Sequence, residues 1–345
     1  MNSSIFSNLV NTVNAAIDTY IKPSSETFTI NDQVLTSIKL LAEGGFSQVY
    51  LAQDDQQHYF AVKRIPCKLG KEQLNMAQRE VSIHRLFQHK NIVPLKNAAV
   101  VKEVDGSQSV YVIMPFYKRG TLQDIIDAYH VSGQHFKERQ IYRLFLDVGQ
   151  ALLVLHTYNG PGIPISNTAK RQSSTSQQDN SLNEEGNRVA WAHRDIKPGN
   201  ILISNTGKPL LMDFGSAYPA KITISSKQHA ARQQDMAEEH SSMPYRAPEL
   251  MHVKVGSVLD EKVDIWSLGC AIFTMAYGES PFEHFVNKQG GGSLSLAVLN
   301  GQFRFPESAS AAALSTYSND LKSLISWMLT LDPHERPSIQ QVWFD

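Results

Sequence analysis

Apolar positions along this chain change their spacing at about residue 115. From Thr29 to Ile65 they fall in short, roughly alternating runs: Leu35 to Leu41, Val49 to Ala52 and Tyr59 to Ile65. Alternation of period two buries one face of a strand and leaves the other wet. Asp54-Asp55-Gln56-Gln57 reads as the turn between the last two runs. A helix is predicted over 71–88, in a stretch rich in Glu, Gln, Leu, Met and Arg. Val100–Val104 and Val110–Met114, parted by Asp105-Gly106-Ser107, predict another hairpin. Five strands and one helix thus make a small N-terminal lobe. After Pro115 the period becomes helical, over 122–129, 138–156 and much of 262–330. The expected class is α+β and bilobal, with a small β-rich lobe and a larger, mostly α-helical one.

Two stretches stand outside this scheme. Residues 5–21 place Phe6, Val10, Val13, Ile17 and Tyr20 on one helical face, and Lys22-Pro23 ends the pattern. Asp18 is the only charge there, so nothing basic would hold an anionic lipid. Residues 157–190 are rich in Ser, Asn, Gln and Gly and have almost nothing apolar to bury, which predicts a solvated surface insertion. The organisation is therefore an N-terminal extension over 1–28 and one domain over 29–345. Its lobes cover 29–115 and 116–345, the second carrying the insertion at 157–190.

Composition adds exclusions. A hydrophobic content of 42% suits a chain with a real core. A net charge of −1 gives no reason to expect nucleic acid or an acidic membrane as an obligatory partner. Cys67 and Cys270 are too few for a metal cluster and are expected as buried free thiols in a reducing compartment. No apolar run approaches the ~18 residues of a membrane-spanning helix, and no signal peptide is visible. The expectation is a cytoplasmic monomer.

The chemistry concentrates in Ala192-His193-Arg194-Asp195-Ile196-Lys197-Pro198-Gly199-Asn200, which runs into an apolar strand. After a polar turn and a second apolar run comes Asp213-Phe214-Gly215. A turn carrying Asp195, Lys197 and Asn200 beside a hairpin ending in Asp213 gathers two carboxylates and an amide. Hard cations such as Mg²⁺ take oxygen ligands, and a carboxylate set apart can accept a hydroxyl proton. Upstream, Ala42-Glu43-Gly44-Gly45-Phe46-Ser47-Gln48-Val49 falls at the first turn between predicted strands. Phe60-Ala61-Val62-Lys63 then ends an apolar run on a lysine, unusual unless the cation meets a negative partner.

The order H-R-D-x-x-x-x-N followed by D-F-G resembles the catalytic signature of protein kinases. The resemblance runs from about Ile30 to the end of the chain. Tyr245-Arg246-Ala247-Pro248-Glu249, Asp264 to Gly269 and Asp332 to Pro337 resemble further signatures of that family. Leu41 to Phe46, Pro115 to Leu122 and a helix-prone activation segment over 227–239 narrow it to the Numb-associated kinase group. The branch most similar is that of serine/threonine-protein kinase 16, with fungal vacuolar relatives.

This resemblance implies roles residue by residue. Asp195 would accept or orient the substrate hydroxyl, and Lys197 would neutralise the transferring phosphoryl group. Asn200 and Asp213 would hold Mg²⁺ or Mn²⁺, with Asp213 bridging metal to phosphates. Lys63 would meet the α/β-phosphates of ATP and pair with Glu80. Leu41, Ala42, Glu43, Gly44, Gly45, Phe46, Ser47 and Val49 would form the loop over the nucleotide, although only the middle glycine of the family pattern survives, as Gly44. Ala61 and the hinge Met114-Pro115-Phe116-Tyr117 would enclose adenine, with the Pro115 carbonyl accepting and the Tyr117 N–H donating. Ser242 would bridge Asp195 and Lys197, Ser225 with Gln228 would cap the activation helix, and Glu249 would pair with Arg336.

The implied activity is transfer of the γ-phosphoryl group of ATP to Ser/Thr hydroxyls of protein substrates, with a link to vacuolar or Golgi membrane traffic. Peripheral membrane residence would depart from the branch's means of attachment, because Asn2 replaces the glycine that myristoylation needs and no cysteine lies near the start. A nucleotide-binding pseudokinase scaffold is the competing reading, but Lys63, Asp195 and Asp213 are all in place. A small-molecule phosphotransferase is a third, and it would lack the Ala247-Pro248-Glu249 element.

Overall fold

The alternating runs at the start of the chain build one antiparallel sheet. In the computed structural model the residues described are 26–160, 163, 189–306 and 317–344. The helix predicted over 5–21 and most of the polar insertion lie outside them. Strands β1 (Thr27–Ile30), β2 (Gln33–Glu43), β3 (Gln48–Gln53), β4 (Tyr59–Pro66), β5 (Asn97–Lys102) and β6 (Gln108–Pro115) form a sheet ordered β1-β2-β3-β4-β6-β5. Helix α1 (Lys71–Leu86) is its only helical partner among the described residues of this lobe.

The sheet therefore has six strands rather than the five expected. β1 begins at Thr27, two residues before the predicted start of the domain, and only Phe28 and Ile30 of its four residues are buried. Two apolar residues are too short a signal to mark a strand, and pairing with β2 supplies the rest. β5 also sits earlier than predicted, because Val104 falls in the turn beyond it and is fully exposed. Phe28 and Ile30 join Leu35, Val62, Tyr111 and Ile113 on one face of the sheet, while Ile65, Val81 and Val112 lie in a second cluster toward α1.

The larger lobe follows the helical periods. Helices α2 (Leu122–Ser132), α3 (Glu138–His156) and α6 (Lys262–Tyr277), with the short α5 (Pro248–Met251), bury their apolar faces in one core. α6 is buried along almost its whole length, which fits its apolar sequence on every side. Gly269 gives it a close approach, since a Cβ there would stand 3.0 Å from the Met328 Cβ. Short strand pairs, β7 (Trp191–Ala192) with β10 (Tyr218–Pro219) and β8 (Ile201–Ile203) with β9 (Pro209–Leu211), present the polar loops between the lobes. Where the polar insertion departs, the Val189 N–H donates to the Gly160 carbonyl at 3.4 Å, so its two ends meet. Tyr158 at this base packs edge-on against Phe87.

Candidate active site

Between the lobes lies a cavity of about 1510 Å³. The sheet roofs it with Leu41, Val49 and Ala61, and β8 and the chain after β9 floor it with Leu202 and Met212. Met114, Pro115 and Tyr117 close its back, where β6 leaves the sheet. Polar groups converge at the inner end: Lys63, Glu80, Lys197, Asn200 and Asp213.

Lys63 lies on β4, opposite Val112 of β6, so the ladder fixes its position. Its Nζ donates to Glu80 Oε1 at 2.7 Å and to Asp213 Oδ1 at 3.0 Å. Three elements distant in sequence thus meet at one ammonium. Burial alone would pull the Lys63 amine down, but Asp213 and Glu80 outweigh it and hold the amine well above its ordinary value. Burial likewise opposes the Asp213 charge, yet Lys63 and the Gly215 N–H keep its carboxyl well below the usual range. Burial and the neighbouring Asp213 push Glu80 the other way, upward, against the pull of Lys63. Two carboxylates against one ammonium leave this Lys63 cluster with a net negative charge, which a divalent cation can offset.

Asp213 itself is left-handed, with φ 65°. A non-glycine residue persists there only when its surroundings hold it. Phe214 supplies one anchor: it is fully buried, its ring 4.9 Å from His84 and 5.4 Å from His193. With the phenylalanine turned into the core, the carboxylate faces the cleft.

The loop after β7 is fixed from below by Asp264 of α6. Its buried carboxylate accepts the N–H groups of His193 and Arg194, both at 2.7 Å, and His156 Nε2 lies 2.9 Å away. Burial opposes the Asp264 charge, but the hydrogen bond and charge of His156 hold its carboxyl below the ordinary value. On this footing Asp195 Oδ2 meets Lys197 Nζ at 2.7 Å and the Asn200 side-chain N–H at 2.8 Å. That amide also donates to the Asp195 carbonyl at 2.8 Å, so its own oxygen is left to face away from Asp195.

The activation segment forms β11 (Ile222–Thr223) and helix α4 (Lys227–His240). The helix matches the propensity of its sequence, but its cap differs from expectation. Ser226, not Ser225, is the cap residue and accepts the His229 N–H at 3.1 Å. The helix ends under Arg246, whose guanidinium donates to the Ser241 carbonyl at 2.6 Å and the Glu238 carbonyl at 3.3 Å. A cation suits that end of the helix dipole. Ser242 then reaches the catalytic loop by two different atoms: its hydroxyl accepts from Lys197 Nζ at 2.6 Å, and its backbone N–H donates to Asp195 Oδ1 at 3.0 Å.

Most of the residues singled out from sequence converge here. Leu41, Ala42, Glu43, Gly44, Ser47, Val49, Ala61, Lys63, Glu80, Met114, Pro115, Tyr117, Lys197, Asn200 and Asp213 line one cavity, and Asp195 touches it through Lys197 and Asn200. Gly45 and Phe46 do not line it. Gly45 has open space around it, and Phe46 stands half-exposed with its ring 5.9 Å from His240 of α4. The extra glycine carries the tip of the loop outward, past the cavity and toward the activation segment. His84, Leu202 and Met212 were missed as lining residues. His84 had no signal to find, since a histidine in an amphipathic helix reads as surface.

The donor set fits the groups that such a cleft implies. Asp213 and the Asn200 amide offer hard oxygen atoms. Among the described residues no three His, Cys, Asp or Glu side chains cluster as a self-sufficient metal site. A cation here would rely on phosphate oxygens and water for its remaining ligands, as Mg²⁺ does. The apolar roof and floor, with the Lys63 ammonium at the inner end, suit a flat base and a polyphosphate.

The sequence matches the protein kinase domain family over residues 35–160 and 188–344, leaving out the polar insertion. It is 36% identical over 318 residues to serine/threonine-protein kinase ppk13 of Schizosaccharomyces pombe, covering 91% of this chain and 90% of that one. Serine/threonine-protein kinase ENV7 of Saccharomyces cerevisiae is 32% identical over 345 residues, covering 92% and 93%. Human serine/threonine-protein kinase 16 is 35% identical over 317 residues, covering 92% and 90%.

Proposed function

This chain belongs to the protein kinase family, and from that premise we propose how its cleft divides the work of phosphoryl transfer. It is a serine/threonine protein kinase that uses ATP, a divalent metal and protein substrates. The observation that carries the assignment of residues is the Lys63 ammonium, held between Glu80 and Asp213 in one cleft with Asn200 and Lys197. In our reading Lys63 binds the α/β-phosphates and Glu80 fixes the amine that does so. Asp213 and Asn200 would hold the metal, which would supply charge neutralisation at the transferring phosphoryl group. Asp195 accepts the hydroxyl proton of the substrate, and Lys197, 2.7 Å from it, screens the negative charge that gathers beside it. Catalysis of this kind is mostly positioning and electrostatics, for which these side chains are already mutually bonded.

The metal we propose is Mg²⁺, with Mn²⁺ as the substitute. The hinge reading assigns adenine to the Pro115 carbonyl and the Tyr117 N–H; Pro115 lacks an N–H, but only its carbonyl is asked for. Among the described residues no helix is long and apolar enough to cross a membrane. We take the protein to be a cytoplasmic monomer, and a link to vacuolar or Golgi membrane traffic is supported by the branch it resembles. The test is phosphate transfer from radiolabelled ATP to a generic protein acceptor, with Mg²⁺, with Mn²⁺ and with chelator. Wild type should label serine and threonine only with metal, and Lys63→Met should not. Equal labelling by Lys63→Met would sink the assignment.

A further inference from the structure

Two guanidinium groups lie beside the catalytic loop with no carboxylate paired to either among the described residues. Arg194 is 5% exposed, and its guanidinium stands 4.9 Å from the centre of the Tyr218 ring. Arg79, from α1, stands 4.9 Å from the same ring. Arg79 donates to the Ala217 carbonyl at 2.9 Å. Arg194 donates through Nη1 to the Gln233 side-chain oxygen at 3.1 Å. The Nε of both, and Nη2 of Arg194, find no hydrogen-bond partner among the described residues. Asp264 binds the backbone of Arg194 and leaves its side chain to others. A buried cation normally meets an anion, and here an aromatic ring and one neutral amide serve instead. Burial accordingly pulls the Arg194 guanidinium down to about 10.

Arg194 has φ 66°. A non-glycine residue stays left-handed only while contacts hold it there. Asp264 holds the backbone end, and Gln233 with Tyr218 holds the far end of the side chain. The next residue is Asp195. Gln233 is itself 1% exposed, on the inward face of α4 with Ala230 and Ala237. Two residues beyond the end of that helix, the Ser242 N–H binds the Asp195 carboxylate at 3.0 Å. The activation segment therefore holds Asp195 directly through the Ser242 N–H and holds its neighbour Arg194 through Gln233 of α4.

Resting on the kinase reading above, we propose that Gln233 is a positioning residue for phosphoryl transfer. Its amide oxygen fixes Arg194, and through it the turn that carries Asp195, so that the activation segment is seated by an uncharged side chain and needs no phosphate. Charged groups added by phosphorylation commonly order such segments by pairing with arginine. In this chain the seat is taken by the helix itself. The space left beside Arg79, Arg194, His240 and Ser241 is about 40 Å³, room for a water or two.

The test compares phosphatase-treated wild type with Gln233→Met and Gln233→Glu for kcat, for the KM of ATP, and for thermal unfolding. Methionine keeps the volume and removes the acceptor. Glutamate restores an acceptor and adds the missing anion. Gln233→Met should lower kcat by about tenfold or more while the KM of ATP moves by no more than about twofold. Gln233→Glu should remain within about twofold of wild type, a rescue that loss of packing would not show. Dephosphorylated wild type should keep full activity, a result that does not depend on any variant folding. Wild-type turnover in Gln233→Met, a Gln233→Glu enzyme as slow as the methionine one, or activity lost on dephosphorylation would each overturn the proposal. Wild type without any transfer would overturn the kinase reading along with it, so the two failures are told apart.

Discussion

Arg336 meets Glu249 through a paired fork, Nη1 to Oε1 at 2.6 Å and Nη2 to Oε2 at 3.0 Å. The arginine is fully buried, donates also to the carbonyls of Thr330, Lys262 and Leu331, and lies over the Trp266 ring. Its five N–H groups fasten the residues after the activation segment to the base of the larger lobe. Removing one partner of a buried pair leaves an uncompensated charge, at a cost of about 3–5 kcal/mol. Arg336→Ala should therefore lower the unfolding midpoint by several degrees, and activity should fall because less protein is folded. A variant that melts like wild type but is inactive would show the pair to act on chemistry instead.

Asp195 is held by Lys197, Asn200 and the Ser242 N–H, each bonded to its carboxylate. A general base contributes about 10²–10⁴ in rate. Asp195→Ala should lose activity of that order and keep its affinity for ATP, because the Lys63 cluster stays intact. Calorimetric ATP binding beside single-turnover transfer would check this; near-normal transfer in the variant would remove Asp195 from the mechanism.

Ser242 offers its hydroxyl to Lys197, whose side chain is 28% exposed. A hydrogen bond to a charged group is worth about 1.5–3 kcal/mol, and solvent reaching the lysine favours the low end. Ser242→Ala should cost about tenfold in kcat/KM, and Ser242→Thr should restore it. Failure of threonine to restore activity would mean that the hydroxyl is not the acting group.

The Lys63–Asp213 pair has a definite pH signature. Asp213 is depressed in the folded state, so its stabilising contribution is present above the ordinary carboxylate value and is lost as pH falls through the folded one. Lys63 is raised, so its contribution is present below the ordinary amine value and is lost only in strong alkali. Between about pH 5 and 9 neither group titrates. The difference in unfolding midpoint between wild type and Asp213→Asn should be flat across that window and shrink in more acidic solution. A difference that changed sharply near neutrality would contradict the assigned charges.

Much of this was legible in the sequence because catalytic loops concentrate rare residue types at fixed spacing. Asp195, Lys197, Asn200 and Asp213 could be placed together before any contact was known, and helix α4 followed from propensity alone. The partnership of Arg79 and Arg194 was not legible. Arg79 sits among charges in a helix and reads as a solvated face, yet Tyr218 and the Ala217 carbonyl draw it inward. Nothing local in Gln233 separates it from Gln228 or Gln234; its burial follows from how the helix is rotated about its axis. Phe46 lies outside the cavity lining. The family resemblance put it in the loop over the nucleotide, whereas its ring lies toward His240. The strand at Thr27 escaped because pairing, not its own pattern, makes it one.

The meeting of Gly160 and Val189 has a consequence for how this protein can vary and be altered. With these two residues bonded to each other, residues can be gained or deleted between them without shifting the frame of α3 or β7. Each doubling of the length of a flexible closed loop adds only about 0.6 kcal/mol of closure entropy. The position is a natural splice point, where a tag, a reporter or a foreign epitope could be grafted while the catalytic machinery goes undisturbed.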